Sequence, residues 1–342
     1  MILDNAIFGN LADGRTAQLF TLETSGGLRI SITNYGGIIT SIRMPDRHGQ
    51  PDEITAGFPS LQAYLEEHPY FGAITGRYAN RIANGRFELD AKTWQLPLNS
   101  PPSHLHGGPG GFHTRLWDYS IDQKADEISL RLHYLSPHLE EGYPGNLEAM
   151  VTYTLKESGE LLITYEARTD APTHLNLTNH AYFNLGGFRD KIFDHQLMVD
   201  ANHYLELNES LLPTGKLIPV QGTPYDYRPG QAPMSLIREP MDYCFVLNHG
   251  HSLDRPAAIL HHPQTGRGLS LYCTQPGIQV YSANFLDGSL KGHGSIAYGQ
   301  HQAVCLETQH FPDSPNHPEF PSTLLRPGET YLHQSRFVFE TE

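Results

Sequence analysis

Leu147-Glu-Ala-Met-Val-Thr-Tyr-Thr-Leu155 places Leu147, Ala149, Val151, Tyr153 and Leu155 in alternation with Glu148, Met150, Thr152 and Thr154. Its neighbours do the same. Ile128, Leu130, Leu132 and Tyr134 alternate with Ser129, Arg131 and His133, and Leu161, Ile163, Tyr165 and Ala167 alternate with Leu162, Thr164, Glu166 and Arg168. A period of two is what a pleated strand with one buried face demands. Turn-forming residues separate the runs, Glu157-Ser-Gly-Glu160 among them. Consecutive half-buried strands joined in this way predict an antiparallel sheet.

Outward from that stretch the pattern continues. Leu28–Ile32 and Ile38–Ile42 flank the Gly-rich bend Asn34-Tyr-Gly-Gly37, and further strands are expected at 269–274, 278–285, 302–309 and 331–340. One short helix is expected at 61–67, with Leu61 and Leu65 on one face. The 32 glycines and 25 prolines recur at short intervals, which interrupts long helices and suits short strands joined by turns. No composition shift marks a linker, and there is no short-period repeat. The expectation is all-β: a large antiparallel β-sandwich of two stacked sheets, one domain over residues 1–342, a length that β folds reach as single units.

A net charge of −14 argues against nucleic acid or anionic membrane as partners and disfavours a strongly anionic substrate. No apolar run approaches a membrane span, and the N-terminal Met1-Ile-Leu-Asp lacks the positive region of a signal peptide. Cys244, Cys273 and Cys305 are odd in number, lack CxxC spacing and sit in apolar strand-like sequence. They read as reduced structural thiols, and the expected location is cytoplasmic.

Five segments can carry chemistry. In His174-Leu-Asn-Leu-Thr-Asn-His180 a strand period places His174, Asn176, Thr178 and His180 on one face, uncharged yet rich in hydrogen-bonding groups. Such a face suits a polyhydroxylated ligand, and the one carrying His180 is expected to line a cleft. Gly76-Arg-Tyr-Ala-Asn-Arg-Ile-Ala-Asn-Gly85 can present Asn80 and Arg81 to ligand hydroxyls; its glycine spacing does not match a phosphate loop. Ser103-His-Leu-His-Gly-Gly108 sets His104 and His106 two apart, but no third zinc ligand stands at a recognisable spacing. The two glycines instead suit close backbone approach to a ligand. Asp242 precedes an apolar run and by itself reads as a strand-entry residue. Glu307 interrupts the apolar strand Ala303-Val-Cys-Leu-Glu-Thr-Gln309. A carboxylate there is costly to bury unless employed, and desolvation moves its pKa towards the range where a general base works.

In chain order, Asn34-Tyr-Gly-Gly37, Gly76-Arg-x-Ala-Asn-Arg-Ile82, His104-Leu-His-Gly-Gly108, Gly142-Tyr-Pro-Gly145, Thr178-Asn-His-x-Tyr-Phe-Asn-Leu185, Thr223-Pro-x-Asp226, Pro276-Gly-Ile-Gln279 and Leu306-Glu-Thr-Gln309 resemble the motifs of the aldose 1-epimerases (galactose mutarotases) over nearly the whole chain. The resemblance implies a β-sandwich of the galactose mutarotase type with an open sugar-binding cleft. It implies interconversion of the α and β anomers of free aldohexoses such as galactose or glucose, without cofactor or metal. Carried over by position, Glu307 is the base that takes the C1 hydroxyl proton and His180 the acid that protonates the ring oxygen. His106 holds the substrate near the reacting centre, and Asn80, Arg81, Asp242 and Gln279 bind its hydroxyls. The implied partner is a monosaccharide, met by a monomer or homodimer. Ser103, where Asn is expected, and Tyr243, where His often follows the aspartate, depart from the family pattern and bear on which sugar fits.

Three other readings compete. A hexose-phosphate 1-epimerase needs cations, for which Arg77, Arg81 and Arg86 are the nearby set. A sugar-binding module without activity typically lacks the acid or the base, and here both motifs are intact. A glycoside hydrolase needs two facing carboxylates, for which Asp242 is the available companion of Glu307.

Overall fold

The three alternating runs pair side by side and antiparallel. Glu127–Ser136, Leu147–Lys156 and Glu160–Thr169 form the heart of a nine-stranded sheet, with Leu130 opposite Tyr153 and Tyr153 opposite Ile163. Along Leu147–Lys156 every second residue is fully buried, as a one-sided sheet requires. Tyr331–Thr341 and Arg267–Cys273 extend this sheet beyond Glu160–Thr169. The computed structural model describes residues 1–228, 235–237, 239–249 and 252–342.

A five-stranded meander built from the N-terminal strands and a six-stranded sheet complete the larger sheets. One hydrophobic core joins all three. Leu147, Val151 and Ile163 of the first sheet meet Phe20, Ile30 and Ile32 of the meander and Ile278, Val280, Val304 and Leu306 of the six-stranded sheet. Each such fully buried side chain contributes roughly 1.5–3 kcal/mol. The all-β antiparallel architecture is the expected one.

The six-stranded sheet positions the site. Its order is Tyr182–Phe183, Val304–Gln309, Gly277–Tyr281, Asp242–Leu247, Ala201–Leu207, Pro213–Pro219. Val304–Gln309 is buried on both faces: Val304 and Leu306 enter the core, so alternation turns Cys305, Glu307 and Gln309 the other way. Register then fixes their companions. Glu307 lies opposite Gln279, Gln279 opposite Cys244, Tyr281 opposite Asp242 and Cys305 opposite Tyr182. One sheet face thereby gathers a carboxylate from each of two strands, an amide and two phenols.

Three expectations need correction. The helix is Leu61–Leu65, one and a half turns, and it buries Leu61 with Tyr64 while Leu65 is 38% exposed; Glu66 is already extended, so no second turn exists to bring Leu65 inward. The strand at 278–285 ends at Tyr281, and Ala283 takes a positive φ of 51°. Residues 174–180 do not form one strand with a ligand-facing side. Only Thr173–His174 and Thr178–Asn179 pair as strand, and both faces are buried. The segment threads between others: the Leu175, Asn176 and His180 amides donate to the carbonyls of Thr323, Arg77 and Ala73. Asn176 donates to the Ala79 carbonyl and accepts from the His310 amide. Asn176 and Asn179 donate to buried backbone carbonyls, and His180 lines a cavity.

Candidate active site

A cavity of about 140 Å³ opens over that sheet face, lined by Asn80, Arg81, His106, His180, Asp242, Gln279 and Glu307. All seven expected site residues therefore meet in one place. Glu307, Gln279 and Asp242 rise from the sheet, and the Gln279 amide donates to Asp242 Oδ1 at 2.7 Å. His180 comes from the buried threaded segment. Another wall is the short pairing of Arg81–Ala83 with Ser103–Leu105 and the residues beside it. There the His106 amide donates to the Asn80 carbonyl at 3.0 Å, and the Asn80 amide donates to His106 Nδ1 at 3.1 Å. Both residues hold left-handed backbone, φ 50° and 66°, so this reciprocal pair fixes a turn that most side chains disfavour.

Because Nδ1 of His106 accepts that bond, its proton lies on Nε2, which is left as a donor to a ligand. His180 Nε2 lies 3.6 Å from Glu307 Oε2, both side chains at 5% exposure or less. Glu307 Oε2 and His180 Nδ1 are buried without a hydrogen-bond partner. Burial, and next the Asp242 carboxylate, push Glu307 well above the ordinary range, against the pull of Arg81. Burial holds His180 down at about 3 and, helped by His180, holds His106 well below the ordinary histidine range. Asp242 is raised by burial as well. With Glu307 raised and His180 lowered, burial disfavours the charged form of each and favours one proton held between carboxylate and imidazole, beside the Arg81 guanidinium. Such a pair can accept a proton at one point of a ligand while donating one at another.

Aromatic rings hold His180 in place. Tyr182 stacks on it at 5.0 Å and 12°, and Tyr70 at 6.0 Å and 18°. Asn99 Nδ2 donates to the Tyr70 hydroxyl at 3.3 Å. Neither tyrosine was among the expected site residues. Tyr182 stands two residues after His180, so a period-two reading of that motif could have found it. Tyr70 has a positive φ of 59° and approaches from another segment, for which the sequence carries no signal.

Other expected participants lie elsewhere. His104 is wholly buried, with Nδ1 on the Pro97 carbonyl and Nε2 on the Tyr143 hydroxyl. Both its nitrogens are committed, so it cannot form a zinc pair with His106. His174 is buried against Phe87 and bonded to Thr323. Gly107 serves the backbone: a Cβ there would stand 1.8 Å from the Gly76 carbonyl oxygen. The arginine cluster disperses. Arg77 is buried among the carbonyls of Ser136, Pro137 and Pro144, and Arg86 pairs with Glu88. Arg81 alone of the three faces the pocket, which removes the phosphate site that the alternative reading needs.

His106, His180 and Glu307 bring ligand-type atoms within 4.8 Å of one another. The Nε2 proton of His106 makes that set a poor metal cage and a good hydroxyl site. A second group, Asp194, His195 and His262, also brings such atoms within 4.8 Å of one another. Its atoms are spent on each other: Asp194 bonds His195 Nδ1 at 2.8 Å and His262 Nε2 at 3.0 Å, and His195 Nε2 accepts from the Leu185 amide.

Residues 18–338 match the family model for aldose 1-epimerase. The chain belongs to the aldose 1-epimerase family. It is 44% identical to the galactose mutarotase of Homo sapiens, over 98% of this chain and 97% of that protein. It is 35% identical to the aldose 1-epimerase of Escherichia coli (strain K12), over 96% and 97%. Among solved structures, a galactose 1-epimerase from Lactobacillus acidophilus superposes with a TM-score of 0.85 at 26% identity, covering 99% of both chains. An aldose epimerase homologue from C. elegans superposes with a TM-score of 0.86 at 28% identity, over 95% and 99%.

Proposed function

We propose that the protein interconverts the α and β anomers of free aldohexoses such as galactose and glucose, with Glu307 as base and His180 as acid. One observation carries the reading: a carboxylate and an imidazole face each other at 3.6 Å, with unused hydrogen-bonding atoms, in a pocket otherwise lined by groups suited to neutral hydroxyls. The anomeric hydroxyl and the ring oxygen are bonded to the same carbon, so the base and the acid of ring opening must sit close together.

Glu307 takes the proton from the C1 hydroxyl, the bond from C1 to the ring oxygen breaks, and His180 delivers a proton to that oxygen. The product is the open-chain aldehyde. Rotation about C1–C2 presents the other carbonyl face. The C5 hydroxyl then closes on C1, returning its proton to His180, and Glu307 protonates the new anomeric oxygen. The pair ends with the single proton it began with, so no cofactor or metal is called for. Each positioned group contributes about 10²–10⁴-fold. His106, Asn80, Arg81, Asp242 and Gln279 hold the remaining hydroxyls.

We further propose that the chain works as one domain in the cytoplasm, as a monomer or homodimer, on a monosaccharide and without nucleic-acid or membrane partners. The shared core, the three buried free cysteines and the net charge of −14 support this, and among the described residues no helix is long and apolar enough to cross a membrane. The test is polarimetry on freshly dissolved α-D-galactose and α-D-glucose. Acceleration to an unchanged final rotation is expected, lost in His180→Asn; no acceleration with either sugar contradicts the reading.

A further inference from the structure

A cavity of about 450 Å³ lies against the N-terminal meander and shares no lining residue with the catalytic one. Ligand sites typically measure about 300–1,000 Å³, so it has room for a small organic molecule. The pleat decides what faces it. Ile30 and Ile42, which lie opposite each other, enter the core, so alternation turns their neighbours outward. Register then sets Arg29 opposite Arg43 and Ser31 opposite Ser41, and all four line the cavity. The segment from His293 to Ile296 supplies another part of the wall, held by His293 Nε2, which donates to the Thr40 carbonyl at 2.8 Å. Half-buried Phe8 and Leu19 add an apolar surface.

Like charges set directly opposite on paired strands repel. The chain carries 37 acidic residues against 23 Lys and Arg, yet among the described residues neither Arg29 nor Arg43 forms an ion pair or a side-chain hydrogen bond. The nearby carboxylates are engaged elsewhere. Glu23, opposite Arg29 on the neighbouring strand, does not line the cavity. Asp52 is spent on Arg189 and Arg267. Glu53, opposite Arg43, accepts from the Ser41 hydroxyl and the Ile42 amide, and burial favours its neutral form. Burial also lowers His293, which adds no charge at neutral pH. Screening confines a charge's reach to about 8 Å at physiological salt, so the two guanidiniums, and not the chain's net −14, set the local potential. A phosphate monoester carries about −1.5 to −2 charges, and its oxygens match the guanidinium fork.

We propose that this cavity binds a phosphate monoester carried on a small organic body, with the phosphate bridging Arg29 and Arg43 and the body packed against Phe8 and Leu19. The site is separate from the catalytic pocket and stands whether or not the protein exchanges anomers.

The test is calorimetric titration of the full chain with AMP, phenyl phosphate, inorganic phosphate and adenosine, in the wild type and in Arg29→Ser, Arg43→Ser and Arg81→Ser. Arg29 and Arg43 are exposed, so their replacement leaves the core intact. At least one ester should bind the wild type with a Kd of about 1 mM or tighter, and adenosine should not bind. Arg29→Ser and Arg43→Ser should each weaken that ester about tenfold or more, and Arg81→Ser should leave it unchanged. Both arginine variants should also melt no lower than the wild type in phosphate-free buffer, because their repulsion is relieved. A lower melting temperature would assign the pair to stability and overturn the site. Failure of both esters to bind, or binding that neither Arg29→Ser nor Arg43→Ser weakens, overturns it as well. Binding lost only in Arg81→Ser places the phosphate in the catalytic cavity and does the same. Inorganic phosphate that binds as tightly as both esters overturns the organic ligand.

Discussion

Two clusters in this molecule have the same composition, one carboxylate and two histidines, with their ligand-type atoms within 4.8 Å of one another. In the first, Asp194 is clamped between His195 and His262, and the far nitrogen of His195 takes a backbone amide. Burial alone would raise Asp194, but the bonds to the two imidazoles win and hold it at about 2. In the second, Glu307 and His180 lie in contact range with atoms that bond to nothing within the protein, and their charged forms are both disfavoured. The first cluster has finished its chemistry on folding. The second is kept unfinished, and an unfinished buried pair is costly unless a ligand completes it. Unspent hydrogen-bonding capacity, more than residue type, separates the reactive cluster from the structural one.

The largest expected effect falls on the reactive cluster. Glu307→Gln keeps the shape and removes the base, and the anomerisation rate should fall by about 10²–10⁴-fold with the melting temperature unchanged or raised. Asp194→Asn should do the reverse, losing about 1–3 kcal/mol of stability by denaturant titration while the rate per folded molecule is kept. Comparable loss of rate in both would erase the distinction.

Next in size is Tyr182→Leu, which removes one of the rings stacked on His180. A misdirected acid should lower kcat by roughly ten- to a hundredfold with little change in KM. The pH profile sharpens the comparison further. The working pair needs one proton, His180 takes a second only near pH 3, and Glu307 is raised. kcat/KM should therefore be level from neutrality down towards that value, and fall on the alkaline side as the pair loses its only proton. A decline centred on the ordinary histidine range, about 6.5, would contradict the single shared proton.

The smallest effect concerns a carboxylate outside both clusters. Glu53 is raised to about 7 by burial, although it accepts bonds from the Ser41 hydroxyl and the Ile42 amide. Its protonated form is favoured by folding, so that stability is fully present below the unfolded value near 4.5 and is lost as pH rises to about 7. Thermal melts of Glu53→Gln should lack this decline, which in the wild type is on the order of 3 kcal/mol.

The sequence disclosed the two regions unequally, for a physical reason. The ladder from residue 127 to 169 was legible to within two residues because one face is core and the other water, and the pleat writes that difference as a period of two. Glu307 was legible because a carboxylate in an apolar strand is an anomaly. The segment at 174–180 misled because it is buried on both faces. Its histidine and amides look like a binding face, but His174 bonds the buried Thr323 hydroxyl and Asn176 satisfies neighbouring backbone. Tyr70 and Phe285 were invisible because they reach the pocket from separate loops, and only the folded chain brings them together.

The account rests on Glu307 and His180 acting as one device. The most direct test is a double-mutant cycle on the anomerisation rate, with Glu307→Gln, His180→Asn and both together. Groups that pass one proton across one ring opening are grossly non-additive, so the double variant should be about as slow as the slower single one. Losses that multiply across the cycle would show two independent contributions and contradict the shared-proton pair.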